Sequence, residues 1–151
     1  MKEHFIKLYQ YNDWANKKIL EIVSSNENFP EKALKYFSHL LIAEKTWRTR
    51  IKDEEIQQNG VWYDIPRNEL KDWVNENTAG YFEIINNPPG GNFETKIDYK
   101  NTKGVEFSTL LIDILAHVST HSAYHRGQIN AALRNAGIEP VSIDYIIYTR
   151  P

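Results

Sequence analysis

The chain has 151 residues, 41% of them apolar and 25% charged, with a formal net charge of −2. That length suits a single domain over residues 1–151 with one core. The charge balance lacks the basic footprint that nucleic-acid binding requires, and a chain without cysteine has no disulfide, no thiolate catalyst and no cysteine-based zinc site.

The opening stretch, MKEHFIKLYQYNDWANKKIL, is amphipathic and too polar for a signal peptide. No apolar run approaches the roughly 18 residues of a membrane span, so the expected location is the cytoplasm. Apolar residues recur at helical spacing over about residues 2–24: Phe5, Leu8, Tyr11 or Asn12, Ala15, Ile19 and Ile22. SSNENFP breaks this helix. Pro30 suits the first turn of a second helix, with Asn28 as its cap. The second helix is expected to reach about residue 54, with the stripe Ala33, Tyr36 or Phe37, Leu40, Ala43 or Glu44, Trp47 and Ile51.

NGVWYDIPRN reads as a connector. A third helix is expected after Pro66, carrying Leu70, Trp73, Val74, Tyr81 and Ile84 or Ile85, and NNPPGG at residues 86–91 ends it. Phe93, Thr95, Ile97 and Tyr99 then alternate with polar or charged residues, and NTKG supplies a turn, so this stretch predicts a β-hairpin. The fourth helix is expected from about Ser108 to Asn135, stopped by Gly137 just beyond its end. The tail, GIEPVSIDYIIYTRP, is apolar enough to pack back on the body. The fold class is therefore all-α: a four-helix bundle with a small hairpin between helices three and four. Because that last connection is long, a simple up-down-up-down path is not assured.

The fourth helix carries HVSTHSAYHRGQI at residues 117–129, which places three of the five histidines at a spacing of four. A step of four on an α-helix keeps side chains on one face and rises about 6 Å. Neighbouring histidines at that spacing can share one ion. His117 and His125 stand about 12 Å apart along the axis, too far to share an ion whose bonds to nitrogen are about 2.0–2.1 Å. One ion can take His117 with His121, or His121 with His125. A third ligand must come from another helix. His39 lies beside the apolar stripe, where bundles build metal sites. His4 sits near the chain start. Glu44 and Asp113 are the competing carboxylates. Set against the metal reading, a histidine on a helix is more often simply packed or solvated.

The residues now on the page resemble the DinB-like (also YfiT-like) family of bacterial proteins. HVSTHSAYHRGQI is similar to that family's H-x-x-x-H-R-G-Q signature, and HLLIAEKTW at 39–47 to its H-L-x-x-A-E-x-x-W pattern. YNDWANKKIL at 11–20 and GIEPVSIDYIIYTR at 137–150 resemble its first helix and closing segment, whereas residues 55–107 carry no such motif. The resemblance implies a four-helix bundle and a divalent metal held by His39, His121 and His125, with His117 as a neighbour. Metal-bound histidines are usually oriented by a partner on the second ring nitrogen; Asn16, Glu44 and Asp113 are the candidates. Arg126 and Gln128 are expected to point elsewhere, Gly127 to allow close helix packing, and Trp14 and Trp47 to wall a pocket.

Three neutral imidazoles leave an ion's full charge available to lower the pKa of bound water or to bind a thiolate. Zinc or nickel suits such a site best, although imidazole also suits copper and iron. Relatives of this kind include thiol S-transferases and metal-dependent hydrolases. No glutamate sits between the histidines as a general base, which favours transfer of a low-molecular-weight thiol to a small electrophile over hydrolysis. The non-catalytic alternatives are a structural metal in a stress-induced bundle and a metal-free helical interaction module. The expected partners are a small-molecule substrate and, from the apolar faces of long helices, a second copy of the chain in a homodimer; no nucleic acid or membrane is expected.

Overall fold

The structure is a computed structural model that describes residues 1–56 and 60–151. Its elements are α1 (Lys2–Ser25), α2 (Glu31–Ile51), α3 (Leu70–Asn86), β1 (Lys96–Lys100), β2 (Glu106–Leu110), α4 (Leu111–Asn135) and a short α5 (Tyr145–Thr149). The four long helices form the bundle, and β1 and β2 form the hairpin between α3 and α4. No helix among the described residues is long and apolar enough to cross a membrane.

Several expected boundaries shift. Pro30 is the residue preceding α2 rather than part of its first turn, and no side chain caps that helix. Asn28 does not act as its cap; its backbone N–H bonds back to Asn26 Oδ1. α2 stops at Ile51 instead of about 54, followed by Asp53 in the left-handed region at φ 54°. Ser108 is not helical: it pairs with Asp98 in the hairpin, and α4 begins at Leu111. The stop at Gly137 holds. With φ 73° it lets its own N–H reach Arg134 O and the Ile138 N–H reach Leu133 O, which satisfies two orphan carbonyls.

The helices do not follow one another around the bundle. α2 packs mainly on α4, α1 mainly on α3, and smaller contacts join α2 to α3 and α1 to α4. α1 and α2 are therefore diagonal, as are α3 and α4. Residue pairings give the directions. His39 and Trp47 of α2 meet His125 and His117 of α4, so those two helices are antiparallel. Leu41 and Arg48 of α2 meet Asn77 and Glu76 of α3, with Lys52 paired to Glu83 further on, so these run parallel. The path is up-down-down-up. Two successive parallel helices force a long return, and the chain from residue 52 to 69 makes it. Ile65 is buried on this crossover, where its N–H bonds Ser38 Oγ of α2.

The buried apolar residues fall into two clusters rather than one continuous core. One holds Ala15, Ile19, Phe37, Leu40, Val74, Ile129 and Leu133. The other holds Phe5, Tyr9, Tyr81, Ile85, Leu111 and Leu115. Between them every long helix contributes buried polar residues: Asn12 and Asn16, Glu44, Asn77, then Ser122 and Arg126. Glu44 Oε1 accepts bonds from Asn12 Nδ2 at 2.7 Å, Asn16 Nδ2 at 3.2 Å and Ser122 Oγ at 2.8 Å. Asn77 Nδ2 donates to its other oxygen at 3.3 Å. A buried carboxylate is tolerable only when so fully bonded. The tail packs as expected: Tyr148 lies 5.5 Å from Trp14 and 5.8 Å from Tyr11, ring to ring.

Candidate metal centre

α2 and α4 pack along their lengths, and the histidines sit where both helices pass the polar layer. His39 of α2 and His125 of α4 are each 6% exposed, and His121 is half-buried. Their ring centres lie 4.5 Å apart for His39 and His125, 4.4 Å for His121 and His125, and 5.5 Å for His39 and His121. One ring nitrogen from each lies within 4.8 Å of the other two.

Two hydrogen bonds set which nitrogens face inward. His39 Nδ1 lies 2.7 Å from the Val61 carbonyl oxygen. A carbonyl only accepts, so Nδ1 carries the proton and Nε2 keeps its lone pair. His125 Nδ1 likewise donates to Gln128 Oε1 at 2.6 Å, and its Nε2 lies 3.1 Å from His121 Nε2. Two nitrogens bound to one tetrahedral zinc at about 2.0–2.1 Å would stand about 3.4 Å apart. The donor set and its spacing therefore fit a divalent ion.

The protonation states fit as well. Burial, followed by His125, His117 and His39, lowers the His121 pKa to about 4. Burial also lowers His39, against the opposing Val61 bond, and His125, against the Gln128 bond and with His39 adding to the decrease. All three imidazoles are thus held neutral near pH 7, the form that binds metal.

The remaining candidates separate. The His117 ring packs edge-on against Trp47 at 5.3 Å, lies 5.4 Å from His121, and stands outside the three-nitrogen cluster. His4 is exposed at the start of α1, and Asp113 is exposed on the first turn of α4. Glu44 and Asn16 are tied to the buried polar layer instead of to a histidine. Gln128 is a correction. Three residues beyond His125 on a helix is the same face, and it contacts the ring it was expected to avoid. Arg126 does point away: it is 2% exposed, and Nη1 donates to Asn12 and Asn16. Gly127 does not permit a close helix approach, since a side chain there would meet nothing within 4 Å. Trp14 packs on the tail. Trp47 meets His117, Tyr99 and Arg50.

Val61 and Trp62 are the residues that sequence reasoning missed. Trp62 stacks on His39 with ring centres 3.6 Å apart and planes 6° apart. Both belong to the α2–α3 crossover, and the parallel path of those helices is what carries the connector back past His39. A connector has no periodicity from which this could be read; the signal it carried was the apolar and aromatic run Val61, Trp62 and Tyr63 between two long helices.

Comparison with known proteins agrees with this architecture. The DinB family model matches residues 1–151. Protein DinB of Bacillus subtilis strain 168 is 25% identical over 167 aligned residues, covering 98% of this chain and 95% of that protein. With its helical bundle and its three-histidine cluster, the chain belongs to the DinB family.

Proposed function

We propose that the protein is a divalent-metal-dependent enzyme that transfers a small-molecule thiol to a small electrophile, with His39, His121 and His125 as metal ligands and zinc or nickel as the metal. The observation that carries this reading is a cluster of three neutral imidazoles from two helices with no carboxylate among its donors. A closed structural site fills four positions with protein ligands, whereas a catalytic site commonly keeps three and leaves one open. A divalent ion bound there supplies Lewis acidity that lowers the pKa of a coordinated thiol.

The chain's own residues do the rest. Val61 and Gln128 fix the tautomers of His39 and His125 through their Nδ1 protons. Trp62 holds the plane of the His39 ring. The thiol must come from solution, because the chain has no cysteine. Glu44, the buried carboxylate of the adjoining polar layer, is taken up by four side-chain donors and stands outside the cluster, so it offers no general base for hydrolysis.

The test begins with elemental analysis of wild type beside His121→Ala after dialysis. About one metal per chain, lost in the variant, is expected. The loaded protein is then mixed with a panel of small thiols and a chromogenic electrophile. Metal-dependent thioether formation supports the reading. Hydrolysis of the electrophile without thiol consumption would reassign the chemistry, and no bound metal in either protein would overturn the proposal.

A further inference from the structure

Three aromatic side chains from three separate segments converge on the histidine cluster. Tyr36 of α2 lies 6.2 Å from the His125 ring, Trp62 of the crossover 6.1 Å, and Tyr124 of α4 5.2 Å. Tyr36 and Trp62 also meet each other edge to face at 6.4 Å. Two of these rings are not packed away: Trp62 is 50% exposed and Tyr124 is 65% exposed. Trp62 spends one face on His39 and leaves much of its surface to solvent.

From this arrangement we infer that Tyr36, Trp62 and Tyr124 form the substrate-recognition surface of the centre, and that it takes a flat, conjugated group by stacking. The inference rests on the metal-enzyme reading and adds the class of electrophile. Large exposed rings beside a reactive centre offer stacking area. Recognition of the electrophile at this mouth falls to ring stacking.

The test uses the cobalt-loaded protein and three probes that coordinate through the same kind of nitrogen: imidazole, benzimidazole and benzimidazole-5-carboxylate. Binding is read from the cobalt absorption bands, with no catalytic assay. Benzimidazole is the weaker base, so coordination alone favours imidazole. Benzimidazole is expected to bind about tenfold tighter, with no further gain from the carboxylate. Tyr124→Ala should shrink that preference while imidazole affinity holds; in Trp62→Ala, which also removes the ring stacked on His39, the ratio of benzimidazole to imidazole affinity should fall, and Trp62→Phe should restore most of it. Equal affinity for imidazole and benzimidazole would overturn the inference and leave the metal site standing. A clear preference for the carboxylate would overturn it in favour of anion recognition. Failure to load cobalt would overturn the metal-enzyme reading and this inference together.

Discussion

Glu44 and Arg126 are opposite charges, both 2% exposed, joined through two shared asparagines. Asn12 and Asn16 each donate an amide N–H to the Glu44 carboxylate and accept an N–H from Arg126 Nη1 on the amide oxygen. The amide dipoles are thereby oriented by the charges at either end. This relay ties α1 to both α2 and α4 immediately behind the histidines, since Arg126 follows His125 and Ser122 follows His121 in sequence. Burial lowers the Arg126 pKa, yet a guanidinium keeps its proton in proteins, so Glu44 is its compensating charge.

Removing one end of the relay should be costly. Glu44→Ala leaves a buried cation uncompensated and is expected to lose about 3–5 kcal/mol, lowering Tm by about 10 °C. Arg126→Met should cost a similar amount, and the double variant less than the sum. Urea unfolding of all four proteins measures this directly. Strict additivity would show that the two charges do not communicate.

Gln128 tests whether orientation of His125 matters to metal affinity. Its Oε1 holds the Nδ1 proton and thereby directs Nε2 toward His121. Gln128→Ala should weaken zinc binding by about 10–100-fold, measured by competition with a chromophoric chelator. Gln128 is partly exposed, so unfolding of the metal-free variant should match wild type to within about 0.5 kcal/mol. Unchanged affinity would reduce the contact to a surface hydrogen bond.

Much of this architecture is legible in sequence because long helices carry periodic signals. The stripe of α2 locates Ala33, Phe37, Leu40 and Ile51 in the interior, and all four are buried. The hairpin is legible from alternation about Ile97 and Tyr99 and from the turn at Gly104. What escapes is decided in three dimensions. Periodicity cannot reveal that α2 and α3 run parallel, and this alone puts Val61 and Trp62 on His39. Nor does spacing distinguish the two possible histidine pairs on α4. His121 and His125 are the pair selected because His39 of the antiparallel α2 lies level with them, whereas Trp47 occupies the level of His117.

Gly127 lies in the interior of α4 on an exposed face, where an added methyl would meet nothing within 4 Å. Gly127→Ala therefore gains helix propensity without a clash and should stabilise the protein by about 0.5–1 kcal/mol. Zinc affinity should not change, since both orienting bonds are untouched. A thermal melt decides the question: a lower Tm would mean that the glycine serves close packing after all.

The metal-free protein should lose stability as pH falls through the histidine range. The folded pKa of His121 is about 4, and those of His39 and His125 are also lowered, while the unfolded residues titrate near about 6.5. In the window from about 6.5 down to 4, the unfolded chain takes up protons that the folded site resists. Linkage then makes stability full above the unfolded pKa and lets it decline as pH drops, until the folded pKa is passed. Replacing His121 with Phe removes the group whose folded pKa is lowered to about 4, so the slope of stability against pH should flatten relative to wild type. Chelator-treated samples unfolded in urea at pH 7, 6 and 5 give both slopes, and comparing them cancels the carboxylate contribution common to the two proteins. Parallel slopes would mean that His121 titrates normally in the folded state and that burial does not hold it neutral.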